Sequence, residues 1–455
     1  MPADDQPAPP PPATDRPGYL ARFLGLLDGS YIDRAACDQA FKRMHARDAI
    51  GDRVHLFFAL IWCVLLFSPQ SVMQIAVLPM VVFFVVRVLN TFPLWIHGFG
   101  QPAVLATIIL AGWMGITLLW SPNPLLGAEE ISQLRWLAAT GFLFPVIRHR
   151  GLLLSALLVG YASMMIAQVF DAFDGFGNRT LYRFFWHEPN RISGWTQPVV
   201  AGSMLVAGLG LVLPAALFDR ARRPLWIVAS VLMCVSVLAT GSRGAWLAMA
   251  ALVLTILLYG FVTKRLNRRV LVGAFVLGAL VIATVLAIDG GNIRERAAEA
   301  RTEITGAIDG EYNSHTGARI RMAQLAIDAT TAHPIAGVGA GGYKQWATEH
   351  DDTDSFIHDH AHNTPLQLSA TTGLLGLLLG IVLFMTLIRN AHNAKKPCET
   401  NGLMLGPMFA IIGMLFVSMT DAVLINAQTA ALLGTLAALS PAYIPDSEQP
   451  SSVVR

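Results

Sequence analysis

Charge is what this sequence has least of. Asp, Glu, Lys and Arg together make up 14% of its 455 residues, against 54% hydrophobic residues, and the mean hydropathy is +0.53. Soluble domains carry about 25% charged residues, so a soluble globular chain is excluded. Cysteine is scarce too. Cys37, Cys63, Cys234 and Cys398 show no CxxC or zinc-ligand spacing, which excludes a disulfide framework and a cysteine metal site. The opening "MPADDQPAPPPPATDRPGY" lacks the basic, apolar and small-residue regions of a cleaved signal. It reads as a Pro-rich disordered tail, leaving the first membrane segment as the uncleaved targeting signal. The formal net charge of +2 decides little, because placement of charge matters more than its sum in a membrane chain.

Long apolar runs are abundant. Leu152–Phe170 and Pro198–Phe218 are typical, each near the roughly 20 residues that cross a bilayer core as helix. Membrane barrels alternate apolar and polar positions instead. The expected fold class is therefore an all-α polytopic membrane protein. About twelve spans are read, near 54–68, 71–89, 102–120, 131–147, 151–170, 197–218, 224–240, 243–262, 269–288, 364–388, 402–420 and 423–441. Basic clusters at Lys42–Arg53, Arg148/Arg150, Arg220–Arg223, Lys264–Arg269 and Arg389–Lys396 then all fall on one side, which the positive-inside rule makes cytoplasmic. The link after the second span is weaker, with only Arg87 and His97. The organisation becomes a cytoplasmic tail (1–53), spans one to nine (54–288), a large outer loop (289–363), spans ten to twelve (364–441) and a cytoplasmic tail (442–455). In a bacterial inner membrane the outer side is the periplasm, where chemistry without ATP requires a preactivated substrate.

The outer side collects the polar residues that invite explanation. Arg191 precedes one span, Arg243 in "TGSRGAW" opens another, and Arg319 and Arg321 lie in the large loop. A guanidinium fork suits bidentate phosphate contacts, and a helix N-terminus adds its own attraction for anions. Lipid headgroups and loop acids such as Glu295 and Glu299 are the alternative partners. The stretch "HDHAHNTP" (358–365) concentrates imidazole where the chain re-enters the membrane. Thr364–Pro365 reads as N-cap and first helical residue, placing His362 within a turn of a positive helix end. That end and partial burial disfavour imidazolium, as a general base requires. A metal nest of His358, His360 and His362 with nearby aspartates, and a merely solvated loop, are the two other readings. Asn363 could orient the ring or a substrate, and Asp421 could orient His362 or an arginine. Tyr312, Trp186 and Tyr343 are outer aromatics able to stack on sugars, though interfacial belts use the same residues.

Four stretches in order resemble the O-antigen ligase and polymerase family of bacterial inner-membrane glycosyltransferases, and within it the lipopolysaccharide O-antigen ligases. They are "ITLLWSPNP", "TGSRGAW", "TGARIRMAQLAIDATTAHPIAGVGAGGY" and "AHNTPLQLSATTGLLGLLLG". The family often has Glu before the Thr-Gly dyad, where Thr371 stands here. The resemblance implies a metal-independent, polyprenol-using (GT-C-like) enzyme needing no cofactor. It takes O-antigen glycan from undecaprenyl pyrophosphate to a sugar hydroxyl of lipid A–core oligosaccharide. It also implies that Arg191, Arg243 and Arg319 engage the pyrophosphate and that His362 deprotonates the acceptor, with Asn363, Arg321 and Asp421 in support. An O-antigen polymerase or a protein O-oligosaccharyltransferase would use the same donor. A lipid-linked glycan transporter is the non-enzyme alternative; the nearly uncharged mid-span positions and absent internal repeat weigh against it.

Overall fold

The computed structural model describes residues 29–174, 191–220, 222–266, 301–353, 355–394 and 402–442, with Gly25 and scattered positions between 267 and 300. Every regular element within them is a helix. In chain order the helices run from α1 (Arg34–Arg47) through α2 (Ala49–Leu65), α3 (Gln70–Val86) and α4 (Val88–Phe99) to α5 (Pro102–Thr117). A long helical run follows, α6 (Pro124–Gln133), α7 (Ala139–Leu143) and α8 (Arg150–Asp174), joined by 3-10 turns. Next come α9 (Pro198–Phe218), α10 (Arg223–Ala239) and α11 (Arg243–Val262). The expected outer loop contributes α12 (His315–Ala332) and α13 (Tyr343–His350), and α14 (Thr364–Asn393), α15 (Gly406–Ser418) and α16 (Ala427–Ala438) close the bundle.

Among the described residues, five runs are long and apolar enough to cross a bilayer: Pro102–Trp120, Pro124–Phe173, Pro198–Phe218, Arg243–Val262 and Thr364–Asn393. The pair α3 and α4 makes a sixth, although it bends by 109°. The apolar helices Arg223–Ala239, Gly402–Ser418 and Ala427–Ala438 are shorter. The described residues thus hold five or six helices of spanning length against twelve expected spans, one of them, Pro124–Phe173, covering two expected spans in a single run, and the span expected at 269–288 lies largely outside the described residues.

Burial separates the helices by role. In α9 nearly every side chain is buried, as expected for a helix that is apolar all round and sits at the centre of the bundle. A side chain on Gly210 would run into the backbone at Ala410, so α9 and α15 pack at close quarters, the usual function of small residues between membrane helices. By contrast α11 keeps Leu247, Leu254, Leu258 and Phe261 exposed along one stripe. Such a stripe has lipid as its natural solvent.

Two local departures from the linear reading have clear causes. The expected second span turns sharply at Arg87, whose buried guanidinium bonds Asp48 at 2.7 Å and His55 at 3.2 Å. Those partners draw the chain sideways, and α4 packs against α1. The stretch 121–130, expected as a loop, is instead mostly helical. Asn123 caps α6 by accepting from Leu126 N at 3.2 Å, and Pro124 takes the first helical position.

The described part of the large loop is folded, not merely a connection. Met322, Leu325, Ala326, Ala329, Tyr343 and Ala347 form a small core that reaches α14 through Ala370. It docks because α14 is broken at Gly373, where φ is 71° and ψ is −176°. That conformation is nearly restricted to glycine. The break leaves carbonyls without helical partners, and Val338 N and Gly339 N donate to Ala370 O and Thr371 O, both at 2.9 Å. Trp120 Nε1 donates to Gly337 O at 3.3 Å, and Ser121 Oγ to Ala340 O at 2.5 Å. The "WSPNP" and "GVGAGG" stretches are thus two halves of one joint.

Candidate active site

The site gathers where the loop meets the helix ends. Asn363, not Thr364, caps α14: its Oδ1 accepts from Leu366 N at 2.9 Å, which shifts the expected cap by one residue. Its Nδ2 donates to Met419 O at 2.7 Å, so Asn363 is occupied in holding backbone. Thr364 Oγ1 donates to Asp421 O at 2.8 Å and accepts from Val423 N at 3.0 Å. The two residues tie the start of α14 to the turn that carries Asp421.

His362 sits just before this cap at φ 48°, a left-handed conformation that costs a non-glycine residue energy. Its Nδ1 is buried without a hydrogen-bond partner and lies 3.8 Å from Asp421 Oδ1. The rings of His360 and His358 stand 4.3 Å and 4.8 Å from the His362 ring, centroid to centroid. Burial first, then the His362 imidazole, push His360 down to about 4. His358 is lowered by the same two causes and by Arg319. Burial alone would raise the Asp421 carboxyl. The His362 ring and the Ala422 N–H beside it prevail, and the group is held below the usual carboxylate range.

Behind the histidines runs a buried polar relay. Ala361 N donates to Gln367 Oε1 at 3.0 Å, Gln367 Nε2 to Glu130 Oε1 at 3.0 Å, and Gly341 N to Glu130 Oε2 at 3.2 Å. Glu130 therefore clamps both the histidine stretch and the glycine-rich joint. Sequence reading missed it. The available signal was a carboxylate at the entrance to an apolar run, where an ionisable group requires partners. In front of the histidines lies a cavity of about 250 Å³, whose lining includes Glu129, Glu130, Asp359, His360, His362 and Asp421.

The three arginines arrive from three elements. Arg191 Nε donates to Thr240 O at 2.9 Å, at the end of α10. Arg243 opens α11 and donates to Glu303 at 2.6 Å and Thr316 Oγ1 at 2.9 Å, with Glu299 at 3.4 Å. The loop acids foreseen as alternative partners for arginine are thus engaged here. Burial would raise the Glu303 carboxyl, but Thr316 and Arg243 outweigh it and hold the group low. The guanidinium of Arg319, on α12, makes no hydrogen bond or ion pair among the described residues. Burial lowers its guanidinium, the Asp421 charge raises it, and the positive charges of Arg191 and Arg243 lower it again. Arg319 therefore lies within electrostatic reach of Arg191, Arg243 and Asp421. Arg321 differs. It pairs with Asp351 at 2.8 Å and Asp352 at 2.5 Å and lies 5.7 Å over the Tyr312 ring, so it fastens the loop to itself.

Two of the expected sugar-stacking aromatics are otherwise employed. Tyr343 is fully buried and donates to Met322 O at 2.7 Å, so it belongs to the loop core. Tyr312 lies beneath Arg321, and Trp186 falls outside the described residues.

Helices long enough for a bilayer, with guanidinium, imidazole and carboxylate groups meeting at one end, define an integral membrane protein with a polar, charged site. The comparisons go further. Residues 228–381 match the model of the family described as O-Antigen ligase, which shows over that segment the resemblance read from the motifs. The match spans Arg243, Arg319, Arg321, His362 and Asn363, and leaves Arg191 and Asp421 outside. An uncharacterized protein of Haemophilus influenzae is 24% identical over 184 residues, 38% of this chain and 45% of that relative. The chain thus spans under half the length of that relative.

Proposed function

We propose that the protein is an O-antigen ligase, moving glycan from undecaprenyl pyrophosphate to a sugar hydroxyl of lipid A–core oligosaccharide on the periplasmic face of the inner membrane. The observation that carries this reading is Arg319. A half-buried guanidinium that makes no ion pair or hydrogen bond among the described residues, with only the Asp421 charge to offset two neighbouring cations, is costly unless an anionic ligand completes it. A pyrophosphate supplies that charge in bidentate form.

The chemistry follows from charge. Pyrophosphate leaves as a stable anion, so the departing side needs positive charge and no proton donor. Arg319 supplies it first; Arg243 joins as the donor's phosphates replace Glu303 and Glu299 around it. On the other side His362 accepts the proton of the attacking hydroxyl. Asp421, drawn in from 3.8 Å to hydrogen-bond length, would hold an Nδ1–H and leave the Nε2 lone pair facing the acceptor. One hydroxyl displacing one pyrophosphate at the anomeric carbon inverts its configuration. In this scheme the arginines do the electrostatic work for which other enzymes use a divalent ion.

Twelve spans, with both termini cytoplasmic and the histidine–arginine site periplasmic, are part of the same proposal. A polymerase or a protein-modifying transferase would share the donor half of the site and differ only in the acceptor. The deciding experiment supplies pure protein with lipid-linked O-antigen and lipid A–core, and looks for the joined product. His362→Ala is expected to abolish that product while the protein stays monodisperse and helical. Full transfer by this variant removes His362 as the base, and joining of donor to donor instead would identify a polymerase.

A further inference from the structure

One cluster beside the proposed chemistry has a second capacity. Ligand atoms of His360, His362 and Asp421 all lie within 4.8 Å of one another. The first is on the loop before α14, the second adjoins its cap, and the third comes from the turn between α15 and α16, so the grouping is made by the fold. We propose that these three side chains form a binding site for a zinc-class divalent transition cation, and that occupancy silences His362. The second half of this proposal rests on the reading of His362 as base; the first half does not.

Two imidazoles and one carboxylate are the donor set of many three-ligand zinc sites, in which a fourth position stays open. Tetrahedral zinc with bonds of about 2.0–2.2 Å places its ligand atoms roughly 3.3–3.5 Å apart. The His362 Nδ1–Asp421 Oδ1 pair, at 3.8 Å, is already near that value. The widest separation must close by about 1.3 Å, which rotation of side chains on a non-helical loop can supply. Imidazole nitrogen selects zinc, cobalt, nickel or copper over magnesium and calcium, which prefer oxygen. The buried His362 Nδ1 has no partner at hydrogen-bond length, Asp421 Oδ1 standing 3.8 Å away, and a lone pair there is what a cation takes.

Charge is the principal objection, because Arg319 is close. The residues lining the cavity answer it: Glu129, Glu130, Asp359 and Asp421 face that space, and no lysine or arginine lines it.

Blocking follows from the valence of imidazole. A neutral ring has one N–H and one lone pair. If the cation takes the lone pair of one nitrogen, the other carries the proton, and neither can accept one from an acceptor hydroxyl. The consequence holds whichever nitrogen faces the ion.

The test uses the full-length protein after removal of any histidine tag, titrated with Zn²⁺ by calorimetry and with Co²⁺ by visible absorption. One equivalent per chain is expected in the unaltered protein. His360→Gln and Asp421→Asn, each confirmed monodisperse, are each expected to weaken binding at least about tenfold. Zinc is expected to stop glycan transfer, and EDTA to restore it. Absence of stoichiometric binding, or binding unchanged in both variants, overturns the site. Binding with transfer undiminished overturns the silencing. A protein that binds one zinc in this way and yet transfers nothing in metal-free buffer keeps the ion site and loses the transferase reading.

Discussion

At the residue scale the three arginines are not equivalent, and their surroundings rank them. Arg243 is partly neutralised by Glu303 and Glu299, and Arg191 spends its Nε on a helix-end carbonyl. Arg319 has neither an ion pair nor a carbonyl partner among the described residues, and only the Asp421 charge offsets it. If an anionic donor binds here, Arg319→Ala should raise the donor KM more than Arg243→Ala does, with the acceptor KM nearly unmoved in both. A charge-assisted hydrogen bond is worth about 1.5–3 kcal/mol, so a rise of roughly ten- to a hundredfold is expected for Arg319→Ala. Arg319→Lys should recover little of the loss, because an ammonium is not a planar fork. Equal effects on donor and acceptor would mean that the guanidinium holds the fold and not the phosphates. The arginines and His362 stood out in the sequence because they fall where the expected topology puts the outer side, and charge there runs against the bias of membrane chains. Their ranking was not legible, since Glu303 lies sixty positions from Arg243 and only folding brings it there.

At the element scale the motifs divide into chemistry and carpentry, and sequence does not mark the division. The "GVGAGG" and "WSPNP" stretches make the joint between loop and bundle. Gly373 is its hinge pin, with a backbone conformation other residues resist and a Cβ position that collides with the Ile335 carbonyl. Gly373→Ala should cost about 1–3 kcal/mol from backbone strain, and more from the collision. The expected readout is a lowered thermal midpoint in detergent together with easier proteolysis within 315–350; an unchanged midpoint would show that the joint is not load-sharing. The Glu130–Gln367 relay makes a second prediction. Glu130→Ala strands the Gly341 N–H and the Gln367 amide, at about 1–3 kcal/mol for each unmet group. Since Gln367 is the only link shared with Ala361 in this relay, Glu130→Ala and Gln367→Ala should be strongly non-additive. A double-mutant cycle on thermal stability is expected to give a coupling of roughly 0.5–3 kcal/mol, and additive losses would dissolve the relay. Helix starts such as Asn123–Pro124 were one residue-pair signals that the linear reading passed over, because an apolar-run search sees spans before it sees caps.

At the scale of the whole molecule, the basic clusters converge on one end of the bundle. Arg148 pairs with Asp52, Arg87 with Asp48, Arg150 donates to Ala394 O at 3.5 Å, and Gly402 N donates to the Asp219 carboxylate. These contacts join connections that sequence alone had assigned to one side by charge, including the weak link at Arg87. The opposite grouping of Arg191, Arg243, Arg319, His362 and Asp421 joins connections assigned to the other side. The 109° bend and the broken run from Pro124 could not be read from lysine and arginine, being set by partners distant in sequence. The orientation itself yields a direct measurement. In a cysteine-free background, a cysteine replacing Asp352, which is 86% exposed, should react with a membrane-impermeant maleimide added to intact spheroplasts. A cysteine replacing the exposed Lys42 should react only after the membrane is opened. The reverse pattern would put the histidines and arginines in the cytoplasm, where lipid-linked glycan that has already been flipped outward cannot reach them, and the proposed reaction would have no substrate.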